Sequence, residues 1–279
     1  MPDTPVVDLD NLDRDGTYLQ YHAARDENLP AYAQHRRDVR SLCRVDEGST
    51  VFEIGCGTGA HLPHFARQVG SSGAVVGVDS SAKMLDLARL RLKGETDDAD
   101  RAMVELVHCR LGEWIPDRAA DVVVADRLIG HLPDPIEGLR QLGELCAPGG
   151  LVVAVNMLNA ATTVNLGEGP EARALARRVL AWRSERGTTS AWAAGVLPSL
   201  ARQAGLEPVE AKLWSFACSS LAETYPHTPL LDYAAHACAD GSVTDEEATL
   251  WRELLGERER DGSFTVGIVL RADVLRKPA

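Results

Sequence analysis

The sequence holds no run of about 18 apolar residues, so no membrane-spanning helix is expected. It has no excess of basic residues: 29 Lys and Arg stand against 41 Asp and Glu, a net charge of -12. A surface of that sign repels phosphate backbones and disfavours a nucleic-acid partner. The richest basic stretches are "HRRDVR" (His35 to Arg40) and "ARALARRVLAWRSER" (Ala172 to Arg186). Both interleave with acids or apolar residues and read as solvated helix faces. The six cysteines include no CxxC pair, which argues against a zinc ribbon and, in a chain of 279 residues, against a disulfide framework. The first residues, "MPDTPVVDLDNLDRDG", are acidic rather than basic-then-apolar. No secretory leader is therefore expected, and the cytoplasm is the expected compartment. There is no GxxxxGK[ST] stretch, which argues against a nucleoside triphosphate site.

What is present is ordinary globular usage, 45% hydrophobic and 25% charged, in a length that suits one large domain. Thr17 to Val45 reads as one or two helices broken near Pro30. Short apolar runs then alternate with amphipathic segments: "STVFEI", "GAVVGVD", "MVELVHC", "ADVVVAD" and "GLVVAVN" as strands. "AHLPHFARQVG", "SAKMLDLARLRLKG" with Ser81 as N-cap, and "PIEGLRQLGELCAPGG" read as helices. That alternation predicts a parallel sheet covered on both faces. After Asn156 the pattern changes to helices around 170–186, 194–205 and 244–262, with strands at "LEPVEAKLWSFAC" and "SFTVGIVLRA". Thr244 and Glu247 have capping-box spacing.

The stretch "VFEIGCGTGAH" (Val51 to His61) carries Gly55, Gly57 and Gly59 between a strand and a helix. In an open parallel sheet this loop lies at the ligand-binding end, and glycines let a ligand approach the backbone. Asp79 ends the next strand, where a carboxylate can accept both hydroxyls of a ribose. Loop and acid together read as a nucleoside site. The spacing is GxGxG rather than the dinucleotide GxGxxG, and Glu53 stands two residues before the first glycine. An acid there is unwelcome beside a pyrophosphate and suits a ligand bearing positive charge.

"VFEIGCGTG", "VVGVDSSAKMLDLAR", "ADVVVADRLIGHLPDPIEGLRQLGELCAPGGLVVAV" and "FTVGIVLRA" together resemble the class I S-adenosylmethionine-dependent methyltransferases, of the small-molecule and quinone-biosynthesis type. The resemblance implies an α/β, Rossmann-like, doubly wound sheet of seven strands, mostly parallel, with a helical lid. It implies a lid segment over 1–48 and a methyltransferase domain over 49–279, with lid insertions near 157–190 and 218–260. It implies S-adenosyl-L-methionine as cofactor and S-adenosyl-L-homocysteine as product. By position, Glu53 and the backbone of Gly55, Gly57 and Gly59 would hold the methionine part, and Asp79 the ribose. Ser80 and Met84 would pack against adenine or ribose, and Asp126 and Arg127 would line the methionine end. Cys56 lies within the loop as a small filler rather than a nucleophile. The chain departs from the family after the third strand, where Arg110 stands in place of an acid. Adenine would then be held by backbone groups near Arg110 and Leu111, or by Glu113, unless the register shifts by a residue or two.

For the chemistry, His131 in "LIGHLPDP" would face the methyl-transfer cavity and is the candidate base; the alternative is a histidine bonded to a backbone carbonyl. Tyr18, Tyr21 and His22 would touch methionine or acceptor from an N-terminal helix, or else form a polar rim at the sheet edge. Trp182 and Trp192 are candidate pocket walls, with core packing as the competing reading. His61 and His64 mimic a metal pair but lack a third ligand, so they read as loop surface and no metal is expected. The expected function is methyl transfer to a small natural-product or quinone-like acceptor. The alternatives are a non-methylating reaction on the same fold, such as cyclisation, or a regulatory protein that only binds the cofactor. A homodimer is the one protein assembly left open.

Overall fold

The computed structural model describes residues 30–94, 100–224 and 228–279. Helix α1 (Pro30–Leu42) leads into strand β1 (Thr50–Ile54), α2 (Leu62–Val69), β2 (Ala74–Asp79), α3 (Ala82–Gly94), β3 (Val104–His108) and β4 (Ala120–Asp126). A 3-10 turn (Ile129–His131), α4 (Pro135–Leu145) and β5 (Cys146–Met157) follow. After a second 3-10 turn (Asn159–Ala161) come the two-residue β6 (Thr163–Val164), α5 (Pro170–Arg186), α6 (Ala193–Gln203) and β7 (Glu207–Cys218). The chain ends in α7 (Leu221–Thr224), α8 (Leu230–Ala239), α9 (Asp245–Asp261) and β8 (Val266–Arg276). The part of the expected Thr17–Val45 helix that precedes Pro30 lies outside the described residues.

The described strands form one sheet in the order β3-β2-β1-β4-β5-β8, with β7 and β6 both pairing with β8. β1 to β5 are parallel, and β8 runs antiparallel to its neighbours. This is the expected doubly wound sheet, with β6 as an eighth strand. Successive residues of the central strands feed opposite cores, as a period of two requires. Val51, Val75, Val122, Val124 and Val153 pack under α1, α2 and α3. Phe52, Val76, Val123, Val152 and Ala154 pack under α4 and α6. A third core gathers α5, α8 and α9 around Trp182, Tyr233 and Trp251, against Val266 and Ile268 of β8. Trp182 is therefore core, whereas Trp192 is 46% exposed. The capping box forms: Thr244 accepts from the Glu247 N–H at 3.2 Å, and Glu247 accepts from the Thr244 N–H at 3.1 Å.

The chain runs outward through β1, β2 and β3, then crosses back to β4 beside β1. That reversal places the switch point, where ligands of such sheets bind, between the carboxyl ends of β1 and β4. Among the described residues no helix is long and apolar enough to cross a membrane, and no group of three His, Cys, Asp or Glu side chains could hold a metal ion.

Candidate functional site

The loop after β1 depends on its glycines. Gly55, Gly57 and Gly59 have φ of +70°, +54° and +72°, a left-handed conformation that costs other residues roughly 1 kcal/mol each. Gly55 and Cys56 donate their N–H groups to the Val78 carbonyl at 2.8 and 3.0 Å, tying the loop to the end of β2. Gly57 N–H donates to Asp79 Oδ2 at 2.8 Å, and Ser81 N–H donates to Asp79 Oδ1 at 2.8 Å. Asp79 thus organises the loop it was expected to serve, and a carboxylate with about four acceptor positions can still receive ligand hydroxyls. A Cβ on Gly57 would meet nothing within 4 Å, so the loop backbone has an open side there.

Cys56 is 6% exposed. Burial, then the charges of Glu53 and Asp79, push its thiol well above the ordinary range, which suits a filler and not a nucleophile. Its sulfur lies under Gly77, where an added Cβ would stand 3.0 Å from it and 2.7 Å from Leu62 Cδ1. Glu53 is 2% exposed at the end of β1. Ser80 is exposed, and its carbonyl accepts from His108 Nε2 at 2.9 Å; Met84 is buried. Ser81 Oγ accepts from the Met84 N–H at 3.3 Å, the cap expected for α3.

Across the switch point, Asp126 ends β4 in a buried network. His61 Nε2 lies 3.4 Å from Asp126 Oδ2, and Arg127 Nε donates to Asp126 Oδ1 at 3.2 Å. Burial alone would raise the Asp126 carboxyl, but the Arg127 charge, the His61 hydrogen bond and His35 outweigh it and hold the carboxyl far below its ordinary range. Arg127 itself has a φ of +60° and donates its N–H to the Val155 carbonyl at 2.6 Å. A non-glycine residue in that region is strained, and such strain gathers at functional sites. His131 follows in the 3-10 turn, half-buried. The turn is strapped by Ser190, whose N–H donates to the Gly130 carbonyl at 2.8 Å and whose Oγ donates to the Leu132 carbonyl at 2.7 Å.

At the end of β3, Cys109 N–H donates to the Asp79 carbonyl, and Arg110 is exposed. The Glu113 carboxylate folds back toward the Arg110 N–H at 3.4 Å, so an acid does stand in this turn, three residues later than the family pattern has it. Leu111 is half-buried against the second core.

The structure therefore gathers Glu53, Gly55, Cys56, Gly57, Gly59, Asp79, Asp126, Arg127 and His131 at one end of the sheet. Tyr18, Tyr21 and His22 lie outside the described residues. Two residues of the buried network escaped the sequence reading. His61 is not loop surface but 2% exposed; His64 alone is exposed. Its place two residues past Gly59 was the available signal. His35, read as part of a solvated face, is 1% exposed, with its ring edge-on to Trp214 at 4.5 Å. Nothing in the sequence marks that contact. The arginines of the same stretch, Arg36, Arg37 and Arg40, line a cavity of about 250 Å³ with His64 and Arg91.

Residues 25–211, two thirds of the chain, match the family described as "Methyltransferase domain". The chain belongs to that family. The methyltransferase domain is 30% identical over 126 residues to a demethylmenaquinone methyltransferase of Listeria welshimeri, covering 45% of this chain and 52% of the relative. It thus spans about half the length of the curated relatives it matches. Its fold is similar to that of a putative methyltransferase from Bacillus halodurans, with a TM-score of 0.60 at 16% identity over 88% of this chain and 99% of the other. It is also similar to the [4+2]-cyclase SpnF, with a TM-score of 0.52 at 16% identity, over 88% and 80% of the two chains.

Proposed function

We propose that this methyltransferase domain binds S-adenosylmethionine between β1 and β4 and methylates a small-molecule acceptor in the cytoplasm. The observation that carries the reading is Asp79: it holds Gly57 and Ser81 by their N–H groups and so sets a carboxylate beside the open side of the glycine loop. The residues fit the cofactor. The bare backbone of Gly57 admits a ligand, Asp79 keeps acceptor capacity for a ribose, and Glu53 and Asp126 put negative charge near a sulfonium and an ammonium. The bound cofactor supplies an electrophilic methyl group with a thioether as its built-in leaving group.

The chain's own work is then to align the acceptor and exclude water. The glycine loop and Asp79 orient one partner. The helices α5, α8 and α9, with their own core, serve as the lid over the other. His131, in the strapped turn after β4, takes a hydroxyl proton at its imidazole when the acceptor is an alcohol or phenol. The acidic surface supports a metabolite over a nucleic acid.

The test is calorimetric titration with S-adenosylmethionine and S-adenosylhomocysteine, wild type against Asp79→Ala. The variant should bind about 1–3 kcal/mol more weakly, through lost charge-assisted hydrogen bonds and a loosened loop. Equal affinity would sink the ribose role of Asp79. Acceptors are then screened by formation of S-adenosylhomocysteine; conversion of an acceptor without it would mark a non-methylating enzyme. His131→Ala should lower kcat roughly 10²-fold or more with a hydroxyl acceptor while leaving cofactor affinity in place. Wild-type turnover in that variant would return His131 to a structural role.

A further inference from the structure

We propose that His61 is a cofactor-binding residue: Asp126 holds its imidazole through Nε2, and Nδ1 receives the α-ammonium of the methionine portion. The inference rests on the cofactor reading above. His61 stands at the start of α2, directly after the glycine loop, and its side chain makes no capping bond to the helix. The register pairs Glu53 of β1 with Val124 of β4, which sets Gly55 level with Asp126. An imidazole that starts in the glycine loop and ends on Asp126 at 3.4 Å therefore spans the switch point itself. The ring is 2% exposed and stacks on Phe65 at 6.0 Å, so its plane is fixed.

Chemistry assigns the two nitrogens. An ionised Asp126 only accepts, so the hydrogen of a neutral imidazole sits on Nε2 and Nδ1 carries a bare lone pair. Nδ1 is buried and makes no hydrogen bond among the described residues. A buried acceptor without a donor is costly, and a ligand donor relieves that cost. The complementary group is a cationic N–H donor, because the negative charge of Asp126 lies behind the ring. Arg127 covers the other Asp126 oxygen, which leaves the His61 side as the route by which that charge reaches a ligand.

The experiment compares calorimetric affinities for S-adenosylhomocysteine and for its analogue lacking the α-amino group. Wild type should prefer the amine by roughly tenfold or more, the scale of one charge-assisted hydrogen bond. His61→Gln keeps an N–H that can reach Asp126 and loses the acceptor at Nδ1. It should weaken S-adenosylhomocysteine roughly tenfold, leave the analogue unchanged and bring their ratio close to one. His61→Asn keeps an acceptor near the Nδ1 position and should retain the preference. A role confined to holding the loop would weaken both ligands alike. An unchanged ratio in His61→Gln overturns the assignment while the cofactor reading stands. Wild type that binds neither ligand overturns both.

Discussion

Gly57→Ala should abolish cofactor binding while the protein stays folded, and Gly59→Ala should damage the fold itself. Both positions are left-handed, with φ of +54° and +72°, so alanine costs about 1 kcal/mol at either through its backbone alone. The difference lies in what the new methyl group meets. At Gly57 it meets nothing within 4 Å, so no protein atom has to move. The methyl instead occupies the open side of the loop, where the proposed cofactor would lie against the backbone. At Gly59 the methyl would stand 3.0 Å from Ala88 Cβ and 3.1 Å from Leu62 Cδ1, between α2 and α3. Neither neighbour is a flexible end: Ala88 has only its Cβ, and Leu62 is fully buried. Overpacking of that kind costs about 1–3 kcal/mol beyond the backbone term. Thermal unfolding should therefore show a drop of a few degrees for Gly57→Ala and a larger one for Gly59→Ala, at about 2–4 °C per kcal/mol for a chain of this size. Calorimetry should show affinity for S-adenosylhomocysteine lost in Gly57→Ala beyond what its small instability explains. Wild-type affinity in that variant would mean that the open side of Gly57 is not the ligand face.

The same loop shows how far the sequence could be read. Strands such as "TVFEI" and "ADVVVAD" were legible because residues buried on both faces leave a continuous apolar run. The glycine spacing, Asp79 and the Thr244–Glu247 box were legible because each is a local pattern with a local cause. What escaped was held by contacts distant in sequence. His61 meets Asp126 65 residues later, and His35 of α1 meets Trp214 of β7. The "HLPH" stretch looked like surface because a helix start is ordinarily exposed; here His61, Leu62 and Pro63 are buried and His64 alone of the four is exposed. β6 is two residues long, too short for any periodicity to announce. β5 starts at Cys146, four residues before the apolar run, because Cys146 pairs with Ala120 despite the Pro-Gly-Gly that follows. The Glu113 carboxylate fell outside the family spacing because the turn after β3 carries its acid three residues late.

Lowering the pH from 6.5 to 4 should cost the fold roughly 3 kcal/mol through His35 alone. Its pKa falls from 6.5 to about 4, first through burial, which disfavours the imidazolium. Asp126 pulls the value back up, and Arg127, His61 and Arg36 push it down. The folded pKa lies below the unfolded one, so the unfolded chain binds the proton first as pH falls. The neutral ring's contribution is complete above pH 6.5 and is lost on the way down to about pH 4. A shift of about 2.5 units corresponds to roughly 3 kcal/mol at 1.36 kcal/mol per unit. Asp126 has the same sign but a separate window: its carboxyl is held below the ordinary 3.8, so its contribution is lost only at more acid pH. Asp273 opposes both, because burial raises its carboxyl despite Arg271, and protonation there favours the fold. The difference between wild type and a variant isolates His35 from these. His35→Phe keeps an aromatic edge against Trp214 and removes the titration. Denaturant unfolding at pH 7, 5.5 and 4 should show wild type falling more steeply than His35→Phe, with the gap between them shifting by roughly 3 kcal/mol over the range. Parallel curves would mean that His35 carries its proton at the same pH folded and unfolded, and that α1 does not exclude water from the ring.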